Sequence, residues 1–123
     1  MDEEKKTLID LSYLQEVASD NSDFMIEMID IFLAQTPEYV SILSDAIDQQ
    51  NWDKIAEMAH KIKPTLAFMG ANEAKETIAS IESRGRAKED YEGIMSDFGN
   101  LREDFNQIFT GLEQKRKELL ANG

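Results

Sequence analysis

Apolar residues recur every three or four positions along almost the whole chain, and no stretch alternates apolar with polar residues long enough to make a strand. That pattern confines the fold to packed helices. Leu8, Ile9, Leu11, Leu14 and Val17 predict a short first helix, with Asp10 or Ser12 near its start. The polar run from Ser19 to Ser22 breaks it, and Asn21 or Ser22 is placed to cap the second helix. That second helix is long, from about 22 to 49, and carries the stripe Met25, Ile29, Phe32, Val40, Leu43 and Ile47, interrupted at Thr36. Phe24, Met28 and Ile31 give its first half a second apolar face, which calls for a second packing partner, the short first helix. Pro37 lies inside this pattern and predicts a bend rather than a stop.

Asn51 is placed to cap a third helix from Trp52, striped by Ile55, Ala59, Ile62, Leu66 and Met69 and closed by Gly70 as a left-handed cap. A fourth helix with Ala74, Ile78 and Ile81 is expected to end before Gly85. The last begins near Asp90 and carries Tyr91, Ile94, Phe98, Leu101, Phe105, Ile108 and Leu112, although Gly93, Gly99 and Gly111 each weaken it by about 1 kcal/mol relative to alanine. One short helix and four longer ones on short loops read as an all-α, up-down-up-down four-helix bundle with a short N-terminal helix. The bundle spans 8–119, between tails at 1–7 and 120–123.

A length of 123 residues suits one such domain. No apolar run reaches the roughly 18–20 residues that span a bilayer. The opening Met1 to Lys6 has no signal-peptide core, and cysteine is absent, so a cytoplasmic location is expected, with no membrane attachment. The net charge of −12 argues against nucleic acid as a partner. With one histidine and no cysteine, a zinc site would need carboxylates for its other ligands, and no metal or other resident cofactor is expected.

That one histidine carries the functional question. At about 100° per residue, His60 falls nearly opposite the stripe of the third helix, beside Asp53, Ala56, Glu57, Lys63, Pro64 and Ala67. A core role is thereby disfavoured, leaving a surface bystander or a site. Ala56, Pro64 and Ala67 are compact enough to admit another protein close to the imidazole. Lys61 and Lys63 put a basic spot in an acidic chain, which favours a site, although Lys63 pairing with Glu57, or plain solvation, is an alternative account of the charges. Proline at 64 removes the hydrogen bond to the carbonyl four residues back, that of His60. The continuing apolar pattern favours a kinked helix over one ending at Lys63.

The stretch from Ala59 to Ala71, with His60, Lys63 three residues on and Gly70 near the helix end, resembles the signature of histidine phosphotransfer (HPt) domains. Asp10 to Leu14 is similar to that family's first helix, Phe32 to Pro37 to its second, and Ile81-Glu82 to its fourth. The resemblance implies a helical bundle that relays phosphoryl groups between receiver domains of response regulators and hybrid sensor kinases. It makes His60 the phospho-acceptor and Lys63 the residue that steadies the phosphoryl oxygens, puts Glu82 where family members place a polar residue near the histidine, and has Gly70 turning the helix end; Lys61 is a candidate only through the basic spot it forms with Lys63. Pro64 stands where the family usually has glycine.

Such a carrier needs little equipment, because phosphoryl transfer depends on positioning and charge stabilisation. Mg²⁺ would come with the receiver, and no nucleotide-binding motif suggests autophosphorylation from ATP. The docking surface is expected around Phe24, Met28, Ile31, Ala56, Pro64, Ala67 and Phe68, and a monomer suits a mobile carrier. The rival reading is a non-catalytic helical adaptor in which His60 is incidental. An acid–base enzyme using Glu57, Glu82 or Asp53 has less support, since the sequence suggests no concave pocket.

Overall fold

A computed structural model describes residues 8–122, so the expected tail at 1–7 lies outside the described residues. It contains five helices, α1 (Ser12–Val17), α2 (Ser22–Asp48), α3 (Trp52–Phe68), α4 (Asn72–Ala87) and α5 (Tyr91–Asn122), and no strand among the described residues. The caps explain the starts. Asn21 Oδ1 accepts from the Phe24 amide at 3.1 Å, and Asn51 Oδ1 from the Lys54 amide at 3.2 Å. Each satisfies a backbone donor that the first helical turn leaves unpaired. Asp10 Oδ1 does related work ahead of α1, accepting from the Ser12 amide at 3.0 Å and the Ser12 hydroxyl at 2.6 Å. Leu8 and Ile9 therefore precede the helix, as partly buried packing against the core.

Packing closes the four long helices into a ring, with α3 on α2 and α4, and α5 on α2 and α4. The stripes meet at its centre, where Ile29, Leu43, Ile55, Ala59, Ile62, Leu66, Ile78, Ile81 and Ile94 are fully buried. Thr36, which interrupts the α2 stripe, is also fully buried, and its hydroxyl pairs with that of Thr65 on α3 at 3.3 Å. The Thr65 hydroxyl in turn donates to the Ile62 carbonyl at 2.7 Å, so the polar step in the core is satisfied. Both α2 and α3 run on as helix through their prolines, Pro37 and Pro64.

Three expectations change. First, α4 does not stop before Gly85 but continues to Ala87, closing on Lys88 in the left-handed conformation. Gly85 is there for packing: a Cβ at this position would stand 3.1 Å from Ile55 Cγ2 and 3.3 Å from the Ala56 amide nitrogen. Glycine lets α4 lie directly on the backbone of α3. Second, the segment expected as a C-terminal tail is helical through Leu120 and Ala121 to Asn122, since nothing from Glu118 onward breaks a helix. Third, α1 does not cover the second face of α2: Phe24 and Ile31 stay 37% and 42% exposed. At six residues, α1 buries Leu14 and sets Tyr13 edge-on to Phe68, but it is too short to do more.

The expected left-handed cap at Gly70 is present, with φ of +68°. Beside it the Asp10 amide donates to the Met69 carbonyl at 3.2 Å, which pins the N-terminal segment to the α3–α4 turn. Among the described residues no helix is long and apolar enough to cross a membrane.

Candidate functional site

His60 projects from the outer face of α3 with its side chain 64% exposed, and Glu82 of α4 meets it. The close approach at Gly85, one turn further along α4, helps bring the two helix faces within reach. His60 Nδ1 lies 3.0 Å from Glu82 Oε2, and Lys63 Nζ donates to Glu82 Oε1 at 2.8 Å. Arg86, four residues on from Glu82, donates to Oε2 from Nη2 at 2.6 Å and from Nε at 3.3 Å. The Glu82 side chain is only 8% exposed, yet its charge is fully met by these donors.

Burial is the largest single influence on Glu82, and it favours the protonated acid. Hydrogen bonds from Lys63, Arg86 and His60, joined by the Lys63 charge, outweigh it and lower the pKa from 4.5 to about 2. At neutral pH the carboxylate is ionised and can only accept. Nδ1 of His60 must then carry a proton, and in the neutral ring the lone pair sits on Nε2, on the side away from Glu82. The imidazole is thus held in one orientation, with Nε2 turned away from the carboxylate.

An open groove of about 720 Å³ borders the ring, lined by His60, Lys63, Pro64, Ala67, Lys75, Glu76 and Ala79. The sequence suggests no such concavity. The small side chains of Pro64, Ala67 and Ala79 leave the space, and the charges come from both walls, Lys63 on α3 and Lys75 and Glu76 on α4.

The structure sorts the residues singled out by the sequence. It brings His60, Lys63 and Glu82 into direct contact and puts Pro64 and Ala67 in the adjoining groove. Lys61 is not part of this group: its ammonium lies 3.9 Å from Glu57 and 5.9 Å from the centre of the Tyr39 ring on α2. The pairing of Lys63 with Glu57 is likewise replaced by its bond to Glu82. Ala56 is a correction, being 7% exposed and covered by Gly85, so no partner can reach it. Phe24 and Ile31 are open to solvent, while Met28 and Phe68 pack partly against the core. Sequence reasoning missed Arg86, whose i,i+4 spacing from Glu82 is a usable signal. It also missed Lys75 and Ala79, which share the face of α4 that carries Glu82.

The fold is an all-helical bundle that presents one exposed imidazole, tied to a buried ionised carboxylate. The Hpt domain family model matches residues 27–116, and the chain belongs to that family, which serves histidine phosphotransfer in two-component signalling. The match takes in α3, α4 and most of α2 and α5, whereas α1 and the segment 10–14 fall outside it. No curated protein and no solved structure matches the chain.

Proposed function

We propose that this chain is a phosphorelay carrier: His60 accepts a phosphoryl group from a receiver-domain aspartyl phosphate and passes it to the aspartate of another receiver. The observation that carries this reading is the 3.0 Å contact between His60 Nδ1 and Glu82 Oε2. It leaves Nε2 as the nucleophile. The Nε2 lone pair attacks phosphorus, the P–N bond forms, and the bond from phosphorus to the aspartate oxygen breaks, the aspartate leaving as carboxylate. No proton has to move. The ring, still protonated at Nδ1, gains positive charge that Glu82 stabilises from the buried side, as a carboxylate does behind a catalytic imidazole. Return transfer reverses these bonds.

Lys63 has three ammonium hydrogens and gives one to Glu82 at 2.8 Å, so others remain for phosphoryl oxygens. Mg²⁺ arrives with the receiver, and the chain contributes neither a metal nor a nucleotide of its own. Pro64 and Ala67, with Phe68, Met28, Phe24 and Ile31 further out, form the contact surface. The supporting scaffold is the 8–119 bundle in up-down-up-down connectivity. Three-residue links between α2 and α3, α3 and α4, and α4 and α5, together with the closed ring of contacts, favour that connectivity.

The test is to mix the protein with a phosphorylated receiver and Mg²⁺ and follow phosphoryl mass on both chains, with His60→Gln as control. Acid-labile uptake by the wild type and none by the variant is expected. Equal uptake by the variant, or none by the wild type from several receivers, would exclude the reading.

A further inference from the structure

The cations beside His60 are not equivalent. Lys63 is engaged with Glu82 at 2.8 Å, and Lys61 is turned toward Glu57 and Tyr39. Lys75 also lines the groove, but among the described residues its ammonium has no ion pair or hydrogen bond. It sits on α4 at 75, with 79, 82 and 86 following at helical spacing, so one face runs from Lys75 across the groove wall to Glu82 and Arg86. Lys75 and His60 line the same groove, whose other lining includes the small side chains of Pro64, Ala67 and Ala79. The chain as a whole carries a net charge of −12, which opposes the approach of an anionic partner.

We infer that Lys75 is a docking cation: it draws the phosphoryl-bearing, anionic face of the partner into the groove and fixes which partners reach His60. The inference rests on the carrier reading above. An aspartyl phosphate is doubly negative, and a strongly acidic carrier must offset long-range repulsion at the one place where that group has to land. An unengaged ammonium on the groove wall does this without touching the reacting atoms. Glu76, beside it in the lining, opposes it and sets the sign control. Lys75 acts on encounter, so its contribution belongs in KM and in salt dependence, not in the bond-making step.

The experiment uses the full chain with a phosphorylated receiver and Mg²⁺, at low and high salt, and in parallel labels His60 with phosphoramidate, a small donor that needs no docking. Lys75→Glu is expected to raise KM for the receiver about tenfold at low salt, with the difference shrinking at high salt. Its kcat and its phosphoramidate labelling should match wild type. Lys75→Arg should restore KM, and Glu76→Gln should lower it. Unchanged KM in Lys75→Glu would overturn the inference. So would a parallel loss of phosphoramidate labelling, which would place Lys75 in the fold or at the reacting ring. Failure of wild type to label at His60 by either route would instead overturn the carrier reading.

Discussion

His60 Nδ1 and Glu82 Oε2 lie 3.0 Å apart across the α3–α4 interface, the ring largely in solvent and the carboxylate almost wholly out of it. A short side chain on a solvent-facing helix position is thereby tied to the rigid interior of the neighbouring helix. Orientation of the ring comes from Glu82 Oε2, and in the proposed transfer the same atom would stabilise the charge the ring gains on phosphorylation. Lys63 and Arg86 keep that carboxylate ionised.

Glu82→Gln separates orientation from charge. The amide oxygen can still accept from Nδ1, but the negative charge is gone. Phosphoryl uptake by His60 from a phosphorylated receiver is expected to slow on the order of tenfold or more, as for loss of a charge-assisted hydrogen bond. Rapid-quench transfer assays check this. An unchanged rate would show that Glu82 serves the fold alone.

The same carboxylate gives stability a pH dependence. Its pKa falls from 4.5 in the unfolded chain to about 2 in the fold, so its stabilisation is fully present above about 4.5 and is lost as pH drops through about 2. The shift corresponds to on the order of 3 kcal/mol. Solvent screening at the exposed Lys63 and Arg86 heads brings the expected effect down to ~1–2 kcal/mol. Urea unfolding between pH 6 and pH 2 should show this loss in wild type, and Glu82→Gln should lose less over the same window.

Much of this is legible in the sequence, and the failures have physical causes. Most of the stripe residues of α2, α3 and α5 are buried, Val40 and Tyr91 only partly, because a helix in water must hide one face and periodicity records which. His60 stands out because it lies opposite its stripe. Gly85 misleads because glycine marks both helix ends and close helix packing; only the neighbouring helix shows which applies. Ala56 looks open on the wheel because a wheel shows one helix, and the covering surface belongs to α4. The groove is invisible for the same reason: its walls come from two different helices.

Gly85→Ala tests the α3–α4 approach. A methyl group gains helix propensity of about 1 kcal/mol. Its neighbours at 3.1 and 3.3 Å include the backbone nitrogen of Ala56, which cannot yield without shifting a helix. Overpacking costs typically ~1–3 kcal/mol, so a net loss on the order of 1 kcal/mol is expected in denaturant titration. Slower phosphoryl uptake at full folding should accompany it, because the same shift moves Glu82 away from His60.

Gly70→Ala should be more damaging. The position has φ of +68°, and a Cβ there would fall 1.9 Å from the Asp10 carbonyl oxygen. The N-terminal segment would have to lift off the α3–α4 turn and give up the bond from the Asp10 amide to Met69. A loss of at least about 2 kcal/mol is expected from thermal or chemical unfolding, combining backbone strain with the lost contact.

Pro64→Ala addresses the residue that stands where the family usually has glycine. Proline has no amide hydrogen, so in wild type the His60 carbonyl receives no helical hydrogen bond from position 64. Alanine restores that donor and keeps the groove free of a long side chain. Helix propensity alone favours alanine over proline by about 3 kcal/mol. The α3 helix already runs unbroken through Pro64, and its neighbour Thr65 is tied to Ile62 and Thr36. The backbone is therefore adapted to the ring, and the expected gain is nearer ~1 kcal/mol. If the proline serves only to keep the site uncrowded, phosphoryl uptake in Pro64→Ala should stay within a few-fold of wild type while its unfolding midpoint rises. A large drop in uptake with a higher midpoint would instead make the missing hydrogen bond part of how His60 is held.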